Sequence, residues 1–158
     1  MKTNLIFFLS EFVIGGAGNS IFKFCKNLSK KKFNISIISL NKCFYKKELK
    51  KYGVTVYEIK SSKTIFAMPK IKRILKNLID NKNKNIFLSN IYYSNVLSVL
   101  FLRSLDMKLI LIERTPFQEL SIYYSFIDFI KKNIIKFLIR HTYFKADDCI
   151  SNSKYISN

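Results

Sequence analysis

The chain has 158 residues, 49% of them hydrophobic and 15% aromatic, with only four glycines and two prolines. That much apolar material excludes a disordered chain, and the length suits one domain with a core of its own. The formal charge is +18, while three cysteines without a C-x-x-C pair and a single histidine argue against a zinc site or a disulfide framework and fit a reducing compartment.

Short β-branched or aromatic runs alternate with longer segments of helical spacing. In chain order, residues 4–9 read as a strand, 20–31 as a helix, 34–40 as a strand, 44–52 as a helix and 54–59 as a strand. A helix over 68–81 follows, then a strand at 85–88, a helix over 92–105 and a strand at 108–112. A long helix over 123–144 and a strand at 148–151 complete the series. Pro69 suits the first turn of the third helix. Near-continuous apolar strands separated by helices predict an α/β domain. We expect a doubly wound, mostly parallel Rossmann-like sheet of about six strands, filling residues 1–158 as a single domain.

The apolar run at residues 5–9 meets Glu11 and is too short for the core of a signal peptide. No stretch is long and uncharged enough to span a bilayer; residues 121–140 come closest, but Asp128, Lys131, Lys132 and Lys136 interrupt them. As a helix this segment gathers Tyr124, Ile127, Ile130, Ile134, Phe137 and Leu138 on one side. Such a stripe packs against a sheet in most proteins; a basic, aromatic helix lying on a membrane surface is the alternative. Only four of the 28 basic residues are arginine. The scattered lysines fit a solvated surface or an anionic membrane face better than the arginine and aromatic readout of nucleic acid.

Gly15-Gly16-Ala17-Gly18 follows the first strand and opens the first helix. Unpaired N–H groups at a helix N-terminus attract anions, and glycine permits both close approach and positive φ. A plain β–α turn without a ligand is the other reading. The dinucleotide fingerprint fails because Ile21 stands where its third glycine belongs, and a Walker A loop fails because Gly18 is followed by Asn19-Ser20. Ligands of such sheets bind beyond the carboxyl ends of the strands. There the sequence offers Ser10, Glu11 and Gly15–Gly18, then Asn41, then Ser89 and Asn90. Glu113, Arg114 and Thr115 follow the fifth strand, and Asn152 and Ser153 the last.

The order Gly15-Gly16-Ala17, Leu28-Ser29-Lys30 and Phe33-Asn34-Ile35-Ser36-Ile37 resembles the opening of family-4-like glycosyltransferases of the GT-B type. Phe87-Leu88-Ser89-Asn90 with Asn95-Val96, Ile112-Glu113-Arg114-Thr115, and Lys145-Ala146-Asp147 leading to Ser153 are similar to further segments of that family, in the same order. The resemblance covers nearly the whole chain and implies the acceptor-side half of a two-domain enzyme. That enzyme would move a sugar from a nucleotide-sugar donor to a cell-envelope glycan or lipid-linked acceptor at the cytoplasmic membrane face.

By the same resemblance, Gly15, Gly16 and Ala17 would lie near the donor phosphates, with Ser89 and Asn90 also in the cleft. Glu113 would orient or deprotonate an acceptor hydroxyl, and Arg114 would pair with Glu113 or an anionic acceptor group; a structural salt bridge at a strand end is the plainer alternative for that pair. Neither a metal nor another cofactor is implied. No histidine stands at Glu113, Arg114 or Ser89-Asn90, unlike many relatives, and His141 lies in the last helix. The donor-binding half, with its paired glutamates, has no counterpart here. Ser153 reads as the cap of a further helix just before the chain stops, so that half is expected in the same frame or another chain, and the chain alone is expected to be inactive. Two other readings are a non-catalytic basic module on anionic membranes and a basic nucleic-acid-binding domain.

Overall fold

A computed structural model describes residues 2–12, 15–114 and 116–151. Six parallel strands form one sheet: β1 (Thr3–Leu9), β2 (Phe33–Ser39), β3 (Thr55–Glu58), β4 (Lys84–Asn90), β5 (Lys108–Glu113) and β6 (Asp148–Ser151), in the order β3-β2-β1-β4-β5-β6. This is the doubly wound, Rossmann-like arrangement expected from the sequence, with its switch point between β1 and β4. The central strand β1 pairs in register with both neighbours, Phe7 lying beside Ile37 and Leu88. It is buried from Asn4 onward, as a strand covered on both faces requires. The edge strands β3 and β6 are short and more exposed, which limits edge pairing.

Strand alternation divides the core into two layers. On one face α1 (Gly16–Asn27) and α2 (Lys46–Lys51) bring Ile21, Cys25 and Leu49 onto Leu5, Phe7 and Ile37. On the other, α3 (Thr64–Leu78) and α4 (Tyr92–Leu102) bring Met68, Ile71, Leu75 and Val99 onto Phe8 and Phe87. The last helix, α5 (Phe126–Thr142), packs chiefly against α4 and the 3₁₀ turns at Phe117–Ser121 and Tyr143–Lys145.

Three expectations need correction. The third helix begins at Thr64, so Pro69 is not in its first turn but inside it; there the ring leaves the Ile65 carbonyl without its i→i−4 donor. The Gly15–Gly18 segment is not a loop ahead of α1, because Gly16 is already helical. The stripe on α5 is not a core stripe: Ile127, Ile130, Ile134 and Phe137 face outward, and Ile135 is the apolar side chain of α5 that becomes fully buried. The segment is apolar on two sides, and contact with α4 covers only one. Thr115, Asn152 and Ser153, including the cap assigned to Ser153, lie outside the described residues.

Candidate functional site

The rim at the carboxyl ends of β1 to β5 is built from short polar connections. After β1 the chain enters α1 through Gly15, which offers no side-chain cap, and no acidic residue occupies the first turn. Among the described residues the Asn19 amide is the first to bond back, to the Gly15 carbonyl at 2.9 Å. First-turn amides have no acceptor within the helix itself, and such donors suit solvent or an anion. Gly15 has an extended φ of 172°, so positive φ is not what glycine supplies here. Nor does the protein's own packing require glycine, since a Cβ at Gly15 or Gly16 would meet nothing within 4 Å and the space above them is open.

Ser89, Asn90 and Glu113 belong to the strands themselves rather than to the loops after them. Alternation therefore sends neighbours to opposite faces. Ser89 accepts a hydrogen bond from Ser98 of α4 at 3.0 Å and is fully buried. Asn90 donates through Nδ2 to the Phe8 carbonyl at 3.1 Å, bridging β4 to β1 across the switch point. Arg114 Nε donates to Asn90 Oδ1 at 3.0 Å. Burial without a carboxylate partner lowers the pKa of this guanidinium from its ordinary value.

Glu113 is only 2% exposed and lies beneath α4 and the turn that follows α5. Its Oε1 accepts hydrogen bonds from Asn95 Nδ2, at 2.6 Å, and from the Tyr143 hydroxyl, while Oε2 has no partner among the described residues. Desolvation outweighs both bonds and raises the carboxyl above its ordinary value; burial, then the nearby carboxylate, raises the Tyr143 hydroxyl in turn. Two sequence expectations are thereby corrected. Glu113 does not pair with Arg114, because the two residues leave the strand end in different directions. Nor does it face an acceptor hydroxyl, because α4 covers it; its work here is to tie β5 to α4 and to Tyr143.

Open space on the rim lies elsewhere. A cleft of about 540 Å³ gathers Ser10, Glu11 and Asn41 from the loops after β1 and β2. Its other walls are the β3–α3 connection, Tyr93 of α4, and Lys131 and Ile135 of α5. A second groove of about 780 Å³ shares Asn41, Ser61 and Ser62 and carries Lys42, Lys47 and Lys60. Within it Lys46 pairs with Glu58, whose carboxyl is held below its usual range mainly by that bond. Ser10, Glu11 and Asn41 are legible in the sequence as rim residues, whereas the run Lys60-Ser61-Ser62-Lys63 is not among those expected there. Its polarity between a strand and a helix was the available signal.

Backbone strain marks the same rim. Lys60 (φ 59°) and Ile91 (φ 74°) are the non-glycine residues with positive φ among the described residues, just beyond β3 and β4. A β-branched residue in that conformation is costly, and such strain concentrates at functional sites. Ile91 is held there by its amide bond to the Ile112 carbonyl of β5 at 3.1 Å. His141 lies away from the rim on the exposed side of α5, with Nδ1 against the Phe137 carbonyl. No group of three or more His, Cys, Asp or Glu side chains suited to a metal ion occurs among the described residues. Compared with known proteins, the chain matches no family model and no curated protein.

Proposed function

We propose that this chain is the acceptor-side half of a GT-B-type glycosyltransferase, working with a donor-binding half from the same frame or another chain. What carries the reading is the shared rim. An uncapped helix N-terminus after β1, the Asn90–Arg114 pair at the switch point and a polar cleft all open at the carboxyl ends of one doubly wound sheet. The order of motifs along the chain supports it independently.

In this reading the α1 amides at Gly16 and Ala17 face the diphosphate of a nucleotide sugar, where peptide dipoles offset negative charge. The guanidinium of Arg114 that is not bonded to Asn90 meets an anionic group of donor or acceptor. The glycan or lipid-linked acceptor occupies the cleft beside Glu11 and Asn41, with Glu113 bracing its wall from below. A single wall holds neither the donor nor the transition state, so sugar transfer requires the second half.

Ligand-observed NMR on the chain tests this with nucleoside diphosphates, oligosaccharides and short polyprenyl-phosphate sugars as probes. Weak binding of a saccharide or diphosphate, abolished in R114A, is the supporting result. Absence of binding to all three classes, or substantial sugar transfer by the chain unaided, would refute the half-enzyme reading.

A further inference from the structure

The outward side of α5 is an apolar stripe. Phe126, Ile130, Ile134 and Phe137 recur at intervals of four, four and three residues, which lays them along one line of an α-helix. Phe126 is 77% and Phe137 61% exposed, and Ile127 beside them is 63% exposed. Tyr124, at 86%, extends the patch past the helix N-terminus. The stripe lies opposite Ile135, the residue by which α5 is anchored, and among the described residues it stays largely exposed, with only Phe137 bordering the turn at Phe117–Ser121. Isolated exposed apolar residues are ordinary; a continuous row of this length on one helix marks a surface of interaction.

Charge selects the occupant. Lys131 flanks the stripe on one side and Lys136 and Arg140 on the other, while the helix carries one acid, Asp128, already bonded to Lys132 at 2.9 Å. Aromatic rings and ammonium groups are interleaved there: Lys132 stands 5.2 Å from the Tyr124 ring and Lys136 5.4 Å from the Tyr123 ring. A second copy of the chain carries the same formal net charge of +18, which opposes self-association. No helix among the described residues is long and apolar enough to cross a membrane.

We propose that α5 docks the chain on an anionic lipid surface, its stripe entering the boundary between headgroups and acyl chains while the flanking lysines and Arg140 meet lipid phosphates. The helix then lies in the plane of the interface, the geometry expected of a basic amphipathic segment with aromatic anchors. The inference does not rest on the enzymatic reading, since the exposed stripe itself lies outside the cleft, of whose walls it shares only Lys131 and the anchoring Ile135.

The chain has no tryptophan, so F137W makes a background-free reporter, with F24W, on α1 across the sheet, as its control. Titration with vesicles of phosphatidylcholine containing anionic phosphatidylglycerol is expected to shift F137W emission to the blue and leave F24W unchanged. Vesicles of phosphatidylcholine alone should produce much less binding. In sedimentation of the tryptophan-free chain, F126S/F137S should lower partitioning about tenfold or more, since two aromatic anchors are lost. Both sites are exposed, so the variant should keep its circular dichroism spectrum. Equal shifts at both reporters, undiminished partitioning of F126S/F137S, or no binding to anionic vesicles would each overturn the proposal. So would a vesicle-independent blue shift of F137W that grows with protein concentration, which would assign the stripe to a second copy.

Discussion

Asn95 Nδ2 and Glu113 Oε1 lie 2.6 Å apart, so one side-chain bond fastens the first turns of α4 to the end of β5. The Tyr143 hydroxyl bonds to the same oxygen from the turn that follows α5. Three elements that are distant in sequence thus meet on a single buried carboxyl oxygen, and its twin, Oε2, has no partner among the described residues.

Stability should therefore fall with pH through this group. Because burial raises the Glu113 carboxyl above its ordinary 4.5, the folded chain holds the proton more tightly than the unfolded one. The resulting stabilisation is complete below about pH 4.5 and is lost as pH rises through the elevated folded value. E113Q keeps an accepting Oε1 and carries no charge, so urea unfolding at pH 8 should find it at least as stable as the parent, with a flatter pH profile. E113A, which strands both donors, should lose about 2–3 kcal/mol.

Tyr143 and Glu113 should be energetically coupled. Y143F removes one donor from a buried carboxylate and should destabilise the chain by about 1–2 kcal/mol at neutral pH. In the E113Q background the loss should shrink, because a neutral acceptor depends less on that donor. A double-mutant cycle by urea denaturation measures the difference; strict additivity would count against the shared bond.

Ile91 should tolerate, and benefit from, replacement by glycine. Its φ of 74° strains a β-branched residue that is only partly buried. Relief of about 1–2 kcal/mol exceeds the greater flexibility that glycine gives the unfolded chain, for a net gain of up to about 1 kcal/mol. Thermal unfolding of I91G reads this directly. If the rim binds a ligand through the strained geometry, the same variant should bind more weakly despite its higher midpoint.

Thiol reactivity should separate the three cysteines. Burial pushes Cys25 up to about 12 and Cys43 to about 11; Cys149 is raised too, by partial desolvation and then by Glu113 and Asp148, but its residue lies exposed on the edge strand β6. At neutral pH a maleimide should label Cys149 first, and Cys25 and Cys43 about a hundredfold more slowly, at a rate set by opening of the α1 and α2 layer. Mass spectrometry of digests after timed labelling gives the order.

How much of this was legible beforehand varies by residue. The six strands and their helices could be read in order, because fully covered strands are apolar throughout and helices carry a different period. The sequence puts Ser89, Asn90, Glu113 and Arg114 just beyond their strands, whereas the first three are the closing residues of β4 and β5. Their partners were not readable, since hydrogen bonds such as Asn90 to Phe8 join residues 82 apart in the chain. The Lys60–Lys63 wall of the cleft escaped notice because a polar connection looks the same whether or not it lines a cavity.

The sequence by itself determined the alternation of strand and helix, the apolar stripe along α5 and the excess of positive charge, all local or compositional properties. Tertiary structure decided which side of α5 is covered, that Glu113 is sealed beneath α4 while Arg114 turns to Asn90, and that Lys60 and Ile91 bear strain. The reason is geometric. Periodicity states which residues share a face, but only the packing of one element against another states whether that face meets protein or solvent.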